Sequence, residues 1–532
     1  MGDLVDVPAV ELRGITKVFP RVVANDRVDL CLFGGEIHAL LGENGAGKST
    51  LMHILAGVLR PDSGTVLIDG MPVKMDDPGD ARAHGIGMVY QHLTLVPGFT
   101  VLENVMLGGR GTFRLDRKRA RRAYLESAGS LGADIQPDAM TGDLPLGRQQ
   151  QVEIIKALAS GARVLILDEP TALLAPAEVV DLQRAMRSLS ERGMAVVLIS
   201  HKLPEALEVA DRVSVLRAGR AAGHLTPDEL RNLSSERTRE VVVRMMFGDD
   251  ADALSDLAEV SLPATSIGVR RTLPEKFALR LDGVSATRER QETGVGEVSF
   301  EVRRGEIFGV AGVEGNGQRE LAEVLAGQRT VTSGVLEFEG EDVTHLGVSE
   351  RERRGLRFVT EDRMGEGTVS SLPVSINLLL KHVGRRPYWT RGGRTVRGAV
   401  RKTAGEIMQE FDVRAPSPET LCGTLSGGNI QKVVLGRELS FAPRLVVYDK
   451  PTQGLDARTT RALRLRIQQM AAGHEVAAVL ISSDLDELLA LCDRIGVMYR
   501  GSLAGIVENS GPDVVERLGR LMLGGDRGRA VE

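Results

Sequence analysis

Residues 42–49 read GENGAGKS, that is Gly42, Glu43, Asn44, Gly45, Ala46, Gly47, Lys48 and Ser49, with Thr50 following. A short apolar run, EIHALLG (36–42), leads into them, and a helix-period pattern starts at Lys48. A strand that enters a glycine-rich turn and leaves it as a helix builds a cradle for phosphate. Glycines let backbone N–H groups converge on anionic oxygens without Cβ clashes, and the helix start adds partial positive charge. Lys48 brings an ammonium to the terminal phosphates, and the Ser49 hydroxyl is a hard oxygen donor suited to Mg2+.

Two more apolar runs of strand length follow, RVLILDE (163–169) and AVVLIS (195–200). Strands alternating with helical patterns predict an α/β fold with a largely parallel sheet covered by helices. The first of these runs ends in Asp168 and Glu169, 168 − 48 = 120 residues beyond the lysine. Asp168 is expected to hold the Mg2+ shell through water, and Glu169 to polarise an attacking water.

The chain then repeats itself. GVEGNG (312–317) matches GENGAG (42–47) at an offset of 312 − 42 = 270. Leu425-Ser-Gly-Gly follows Leu144-Pro-Leu-Gly at 425 − 144 = 281, and VYDKPTQGL from Val447 follows ILDEPTALL from Ile166 at the same 281. VLIS before Ser483 follows VLIS before His201 at 282. So long a period means duplicated domains rather than a solenoid. We place the first at 10–245, a linker at 246–277 and the second at 278–524. The offset grows by 11, which places an insertion in the second half, in the Arg/Gly-rich stretch RRPYWTRGGRTVRG (385–398).

The bulk numbers fit this plan. The sequence has 532 residues, 42% hydrophobic and 26% charged, which is globular and long enough for several domains. A net charge of −5 gives no broad basic surface for nucleic acid, and 3% aromatic content supplies few stacking platforms. The basic run 117–122 reads as a solvated helix face. Cys31, Cys422 and Cys492 are scattered and form no metal or disulfide framework, as in a reducing compartment. The first residues, MGDLVDVPAVELRG, are acidic where a signal peptide is basic, and no apolar run reaches the roughly 18 residues that span a bilayer. Any role at a membrane is expected to come through a partner.

Taken together these motifs resemble the ATP-binding-cassette family over nearly the whole length. The resemblance implies two tandem domains, each a P-loop α/β core with a helical signature subdomain, and it implies ATP and Mg2+ as ligands. It assigns Gln91, in GMVYQHLTLVPGFTVLENV, to sensing γ-phosphate and Mg2+, His201 to contacting γ-phosphate, and Phe19 to stacking on adenine. Lys48, Gln91, Glu169 and His201 become the catalytic set, and Ser49, Gln91 and Asp168 the metal set. The residues after Gln91, from Leu93 to Glu103, match the surface that meets a membrane subunit.

In the second half the chemistry is missing. Gln318 and Arg319 stand where Lys48 and Ser49 stand, Lys450 replaces Glu169, Ser483 replaces His201 and Glu361 replaces Gln91. No aromatic residue lies between Gly283 and Ser299. Gly312, Gly315 and Gly317 remain, and could still hold a nucleotide weakly through backbone N–H groups. The signature motif shows the reverse asymmetry: Leu425, Ser426, Gly427, Gly428 and Asn429 are intact, whereas the first half has Pro145 and Leu146. The family packs its halves head to tail, so the resemblance adds Leu425, Ser426, Gly427 and Gly428 to the ATP site of Lys48 and leaves one structural site per chain. Asp456 matches the family's interface aspartate, and its counterpart is Ala175.

Fused halves with a degenerate second site resemble the simple-sugar importers. LPLGRQQQVEIIKAL (144–158) and FDVRAPSPETLCGTLSGGNIQKVVLGRELS (411–440) resemble the nucleoside importers, and VTEDRMGEG (359–367) is common to both. Cys422, Gly423 and Lys450 depart from the expected pattern. The resemblance implies an ATPase at the cytoplasmic face of the membrane, with two integral-membrane permeases and an extracytoplasmic binding protein, and no nucleic acid. The expected solute is a nucleoside, with a ribose- or galactose-type sugar as the alternative. A soluble twin-cassette ATPase acting on ribosomes or DNA is the competing class. The short linker, Lys450 and the scattered cysteines speak against it.

Overall fold

A computed structural model describes residues 7–19, 22–43, 45–91, 93–107, 116–171, 174, 176–200, 202–248, 276–287, 293–391, 393–455, 457–474, 476–511, 513–522 and 524. The chain divides into two compact units, 1–261 and 262–532. Most of the linker expected at 246–277 lies outside the described residues, as do Asn44, Ala175, His201 and Asp456.

The first unit contains β1 (Val10–Phe19), β2 (Val22–Leu32), β3 (Ile37–Leu41), β4 (Ser63–Ile68), β5 (Met71–Val73), β6 (Ile86–Val89), β7 (Val164–Asp168), β8 (Ala195–Ile199), β9 (Arg212–Arg217) and β10 (Arg220–Leu225). One sheet has the order β2-β1-β4-β5 and is antiparallel. The other has the order β10-β9-β3-β8-β7-β6 and is parallel except for β10. The three apolar runs read from the sequence are its centre, β3, β7 and β8. All five residues of each are buried, because both faces are covered. Alternation divides their side chains between two cores: Val164 and Ile166 of β7 pack toward the antiparallel sheet, and Leu165 and Leu167 toward the opposite layer.

A third cluster stands apart. Leu95, Val101, Leu102, Val105, Tyr124, Val152 and Ile155 join the segment after Gln91 to three helices, Val101–Leu107, Arg117–Leu131 and Leu146–Ala159. The segment LTLVPGF stays out of helix up to Val101, as Pro97 and Gly98 require.

The second unit repeats the plan with β11 (Phe277–Ala286), β12 (Val295–Arg303), β13 (Ile307–Ala311), β14 (Val331–Phe338), β15 (Glu341–Asp342), β16 (Leu356–Val359), β17 (Leu445–Asp449), β18 (Ala477–Ile481), β19 (Arg494–Tyr499) and β20 (Ser502–Glu508). Its sheets run β12-β11-β14-β15 and β16-β17-β18-β13-β19-β20, the same orders strand for strand.

Equivalent hydrogen bonds locate the insertion. Asn104 Oδ1 accepts from Val96 N at 2.8 Å, and Asn377 Oδ1 accepts from Val369 N at 2.8 Å, an offset of 377 − 104 = 273. Three of the 11 extra residues therefore precede Val369, where a five-residue π-helical turn, Arg363–Gly367, follows Glu361. The other eight lie farther along, in the span that contains 385–398. The expectation of one insertion thus resolves into two, the smaller beside the second glycine loop.

Candidate nucleotide site

The first glycine loop has the geometry its sequence requires. Gly47 takes φ 98°, and a Cβ there would lie 2.1 Å from Ala24 O. Gly42, at φ 150°, would put a Cβ 2.3 Å from Leu216 O. The helix Lys48–Leu55 starts directly at Gly47 without a side-chain cap, so its first N–H groups face the loop. Lys48 Nζ donates to Gly42 O at 2.7 Å and to Glu43 O at 2.9 Å, and so spans the mouth of the loop. Burial lowers the Lys48 pKa, while Glu169, Asp168 and Glu43 hold it up. Gly45 and Ala46 complete the turn, and Thr50 follows Ser49 within the helix.

β7 delivers the acids. Ser49 Oγ donates to Asp168 Oδ1 at 3.4 Å, which brings a hydroxyl and a carboxylate together as hard oxygen donors for Mg2+. Burial raises the Asp168 pKa, the Ser49 hydrogen bond opposes the rise, and the Glu169 charge adds to it. A divalent cation would relieve that burial cost, so the residues present fit the metal. Glu169 takes φ 46°, unusual for a side-chain-bearing residue, and its N–H donates to Ile199 O at 3.0 Å. This turn points its carboxylate away from the strand, where Oε2 accepts from Gln91 Nε2 at 3.1 Å. Lys48, Ser49, Gln91, Asp168 and Glu169 are therefore one cluster. Phe19 lies at the end of β1, 39% exposed, with Lys17 Nζ 5.8 Å from its ring centroid.

Sequence reasoning missed two supporting residues. Gln150 Nε2 donates to Pro170 O at 2.6 Å, tying the signature helix to the turn after Glu169. Gln431 does the same to Pro451 O at 2.9 Å. The repeat itself could have found this pair, since 431 − 150 = 281. The other is Glu153, 4% exposed, which accepts from Thr94 N at 2.6 Å, Thr94 Oγ1 at 2.7 Å and Lys156 Nζ at 2.9 Å. It pins the segment after Gln91 to the helix Leu146–Ala159. A lone glutamate in the apolar run QVEIIKAL was the available signal.

In the second unit the loop keeps its shape and fills itself. Gly312, Gly315 and Gly317 have φ 156°, 85° and 103°. Gln318 lies where Lys48 lies, and its Nε2 donates to Val313 O at 3.1 Å while its Oε1 accepts from Asn316 N at 3.1 Å. Arg319 extends to Glu323 at 3.2 Å and to Glu366, in the inserted turn, at 2.8 Å. Lys450 takes φ 42°, much as Glu169 does, and pairs with Glu314 at 2.5 Å and Glu361 at 2.9 Å. Burial, with the Glu361 charge next, pushes Asp449 up to about 7. Ser483 follows β18, half-buried. Ser426 precedes the helix Gly427–Leu439 as its N-cap residue, after Leu425 and with Gly428 in the first turn, and its Oγ accepts from Asn429 Nδ2 at 3.0 Å. All three cysteines are free. No helix among the described residues is long and apolar enough to cross a membrane.

The sequence matches the ABC transporter family over residues 25–172 and 295–453, one match for each glycine loop. This chain belongs to that family. It is an ABC transporter ATPase with two tandem cassettes, and both loop-to-carboxylate spans fall inside the matched segments. Among its relatives, the nucleoside import ATP-binding protein NupA of Lactococcus lactis subsp. cremoris is 38% identical over 97% of this chain and 98% of its own. The ribose import ATP-binding protein RbsA 1 of Rubrobacter xylanophilus is 42% identical over 94% and 95%. The guanosine import ATP-binding protein NupO of Bacillus subtilis is 37% identical over 97% of both chains. Of solved structures, the ADP conformation of an ATP-binding cassette of an ABC transporter aligns with 46% of this ABC ATPase and 99% of its own chain, at 24% identity and TM-score 0.41.

Proposed function

We propose that the chain is the ATP-hydrolysing subunit of an importer that takes up nucleosides, held peripherally on integral-membrane permeases that an extracytoplasmic binding protein supplies with solute. The observation that carries the hydrolytic part is the single cluster of Lys48, Ser49, Asp168, Glu169 and Gln91. Lys48 and the loop N–H groups bind and orient the phosphates of ATP. Ser49 and Asp168 would hold Mg2+, which when bound would supply charge neutralisation at the phosphates. Glu169 accepts the proton of the attacking water, and Gln91 fixes the carboxylate in place. We assign His201, Phe19, Asn44 and the signature residues Leu425, Ser426, Gly427 and Gly428 to the same ATP on the sequence pattern. The second loop, whose polar groups bind one another, is assigned a structural role.

Permease attachment is assigned to the segment from Leu93 to Glu103 together with a cleft of the first unit of about 250 Å³ that its Thr94 borders, along with Arg82, Tyr90, Glu153 and Lys156. Tyr90, on its border, immediately precedes Gln91, so a helix seated there would bear on the segment that carries the catalytic amide. Support for a nucleoside comes from the motif at 144–158 and from full-length likeness to nucleoside and guanosine import proteins. The ribose relative, at 42% identity, favours a second reading as a sugar importer. Uptake of labelled guanosine, uridine and ribose by cells lacking this chain tests both. Loss of nucleoside uptake with ribose uptake intact is expected. The reverse pattern would establish the sugar reading.

A further inference from the structure

The loop that lengthens the second unit carries charge with no internal use. Between Val383 and Gly405 there are seven cations and no acidic residue, in a chain whose net charge is −5. One of them, Arg401, pairs with Glu419 at 3.1 Å. Arg385, Arg386, Arg391, Arg394, Arg397 and Lys402 are all exposed, and none has an acidic partner among the described residues. In the basic run of the first unit, by comparison, Arg117 and Arg121 both bind Asp138, at 3.2 and 3.1 Å, while Lys118, Arg119 and Arg122 are exposed.

The loop is built rather than loose. Trp389 is 7% exposed and packs with Leu379 and Val400. His382 lies against Phe441, with ring centroids 3.8 Å apart, and edge-on to Tyr388 at 5.8 Å. Thr390 N donates to Arg394 O at 2.9 Å, and Val396 N to Tyr388 O at 2.8 Å, closing a short hairpin. The helix Arg397–Glu410 that follows has no acidic residue in its first turn and no side-chain cap, and it sets Arg397 and Lys402, which have no acidic partner among the described residues, near its positive end. Cations there oppose the helix dipole. A local rule broken with no compensating contact marks a functional surface.

We propose that this basic platform binds anionic lipid headgroups at the membrane surface, beside the permeases. The inference rests on the transporter reading for the presence of a membrane, and it adds a contact that acts through lipid rather than through protein. The aromatic rings that a protein interface would use as anchors are turned into the unit's own core. Stacking on bases is closed off for the same reason. What remains outside is cations, with Val383 and Val396 as exposed apolar neighbours, and that suits a diffuse layer of negative charge.

The test is flotation of the full purified chain, without permeases, on vesicles of phosphatidylcholine alone and of phosphatidylcholine mixed with phosphatidylglycerol. Binding is expected only to the second, and it should disappear as salt rises from about 0.05 M to about 0.5 M. Combining Arg386→Gln, Arg391→Gln and Arg394→Gln should lower partitioning by about fivefold per charge removed. The matching Arg→Lys triple variant should keep it, and binding of a fluorescent ATP analogue should be unchanged in both. Equal binding to both vesicle types, or a glutamine variant that floats like wild type, overturns the proposal. So does a wild-type chain that ignores vesicles but binds duplex DNA, or one that loses only permease copurification when neutralised. The transporter reading stands or falls separately, by copurification of the wild-type chain with permeases.

Discussion

Gln91 Nε2 donates to Glu169 Oε2 across 3.1 Å, and in the second unit the same two positions hold Glu361 and Lys450, an ion pair at 2.9 Å. The contact survives and its charges are rearranged. An amide facing a carboxylate has become a carboxylate facing an ammonium. Complementarity keeps the fold of the turn, while the group that could accept a proton from water is gone.

Glu169→Gln should therefore leave ATP binding near wild type and lower turnover by about 10²–10⁴-fold, the usual worth of a positioned base. An amide also fits opposite Gln91, so the site should not collapse. Single-turnover hydrolysis with permeases present reads the rate, and a fluorescent ATP analogue reads the binding. Wild-type turnover would sink the assignment.

Lys450→Glu should not create a second hydrolytic site. It would set a third carboxylate against Glu314 and Glu361, beside the buried Asp449, with Gln318, Arg319 and Ser483 unchanged. Losing this mostly buried cation should cost the second unit about 1–3 kcal/mol. A lower unfolding temperature with an unchanged ATPase rate is expected. A doubled rate would show that the acid alone had been limiting.

Asp449 gives a pH dependence of definite sign. Its folded pKa is pushed to about 7 by burial and by Glu361, against about 3.9 in an unfolded chain. The folded state then holds the extra proton between those values, so stability falls as pH rises from about 4 to about 7 and stays low above. Asp449→Asn, which resembles the protonated form, should raise the unfolding temperature more at pH 8 than at pH 5. An equal gain at both pH values would contradict the assignment.

The fold was legible because its centre is written in short runs in which nearly every residue is apolar. IHALL, VLILD and AVVLI became β3, β7 and β8, and the 281-residue repeat carried that reading into the second unit. The phosphate loop was legible because glycine is demanded at particular φ values. Less could be read where one residue acts through a neighbour. Nothing in the sequence showed that Glu153 fastens Thr94, or that Glu366 in a three-residue insertion meets Arg319, since such contacts depend on how loops close. His201 and Asp456 lie outside the described residues, so their roles rest on pattern alone.

The glycine requirement makes its own prediction. Gly47→Ala must place a Cβ 2.1 Å from Ala24 O, so the loop has to move. At Gly45, with φ 81°, a Cβ meets nothing within 4 Å, and only the left-handed backbone is penalised, by about 1 kcal/mol. Gly47→Ala should weaken ATP binding by at least about tenfold and Gly45→Ala by clearly less. Titration of both variants with a fluorescent ATP analogue checks the order, and equal losses would mean that the clash at Ala24 is readily relieved.

Permease docking can be tested at positions the structure separates. Leu93, Leu95, Val96 and Phe99 are the large apolar side chains of LTLVPGF (93–99), within the segment that matches the membrane-subunit surface. Leu95 is 9% exposed and belongs to the helical core with Val101 and Tyr124, so a charge there would damage folding and report nothing on docking. Val96 and Phe99 are 37% and 40% exposed, on the turn that Asn104 and Thr141 hold by hydrogen bonds to Val96 O and Phe99 O. The turn is thus fixed by backbone contacts that its outer side chains do not make. Val96→Asp with Phe99→Asp should keep the fold and ATP binding while lowering permease recovery about tenfold, as when one interface anchor is lost. Wild-type recovery from that double variant, with unfolding temperature unchanged, would move the docking surface away from this turn.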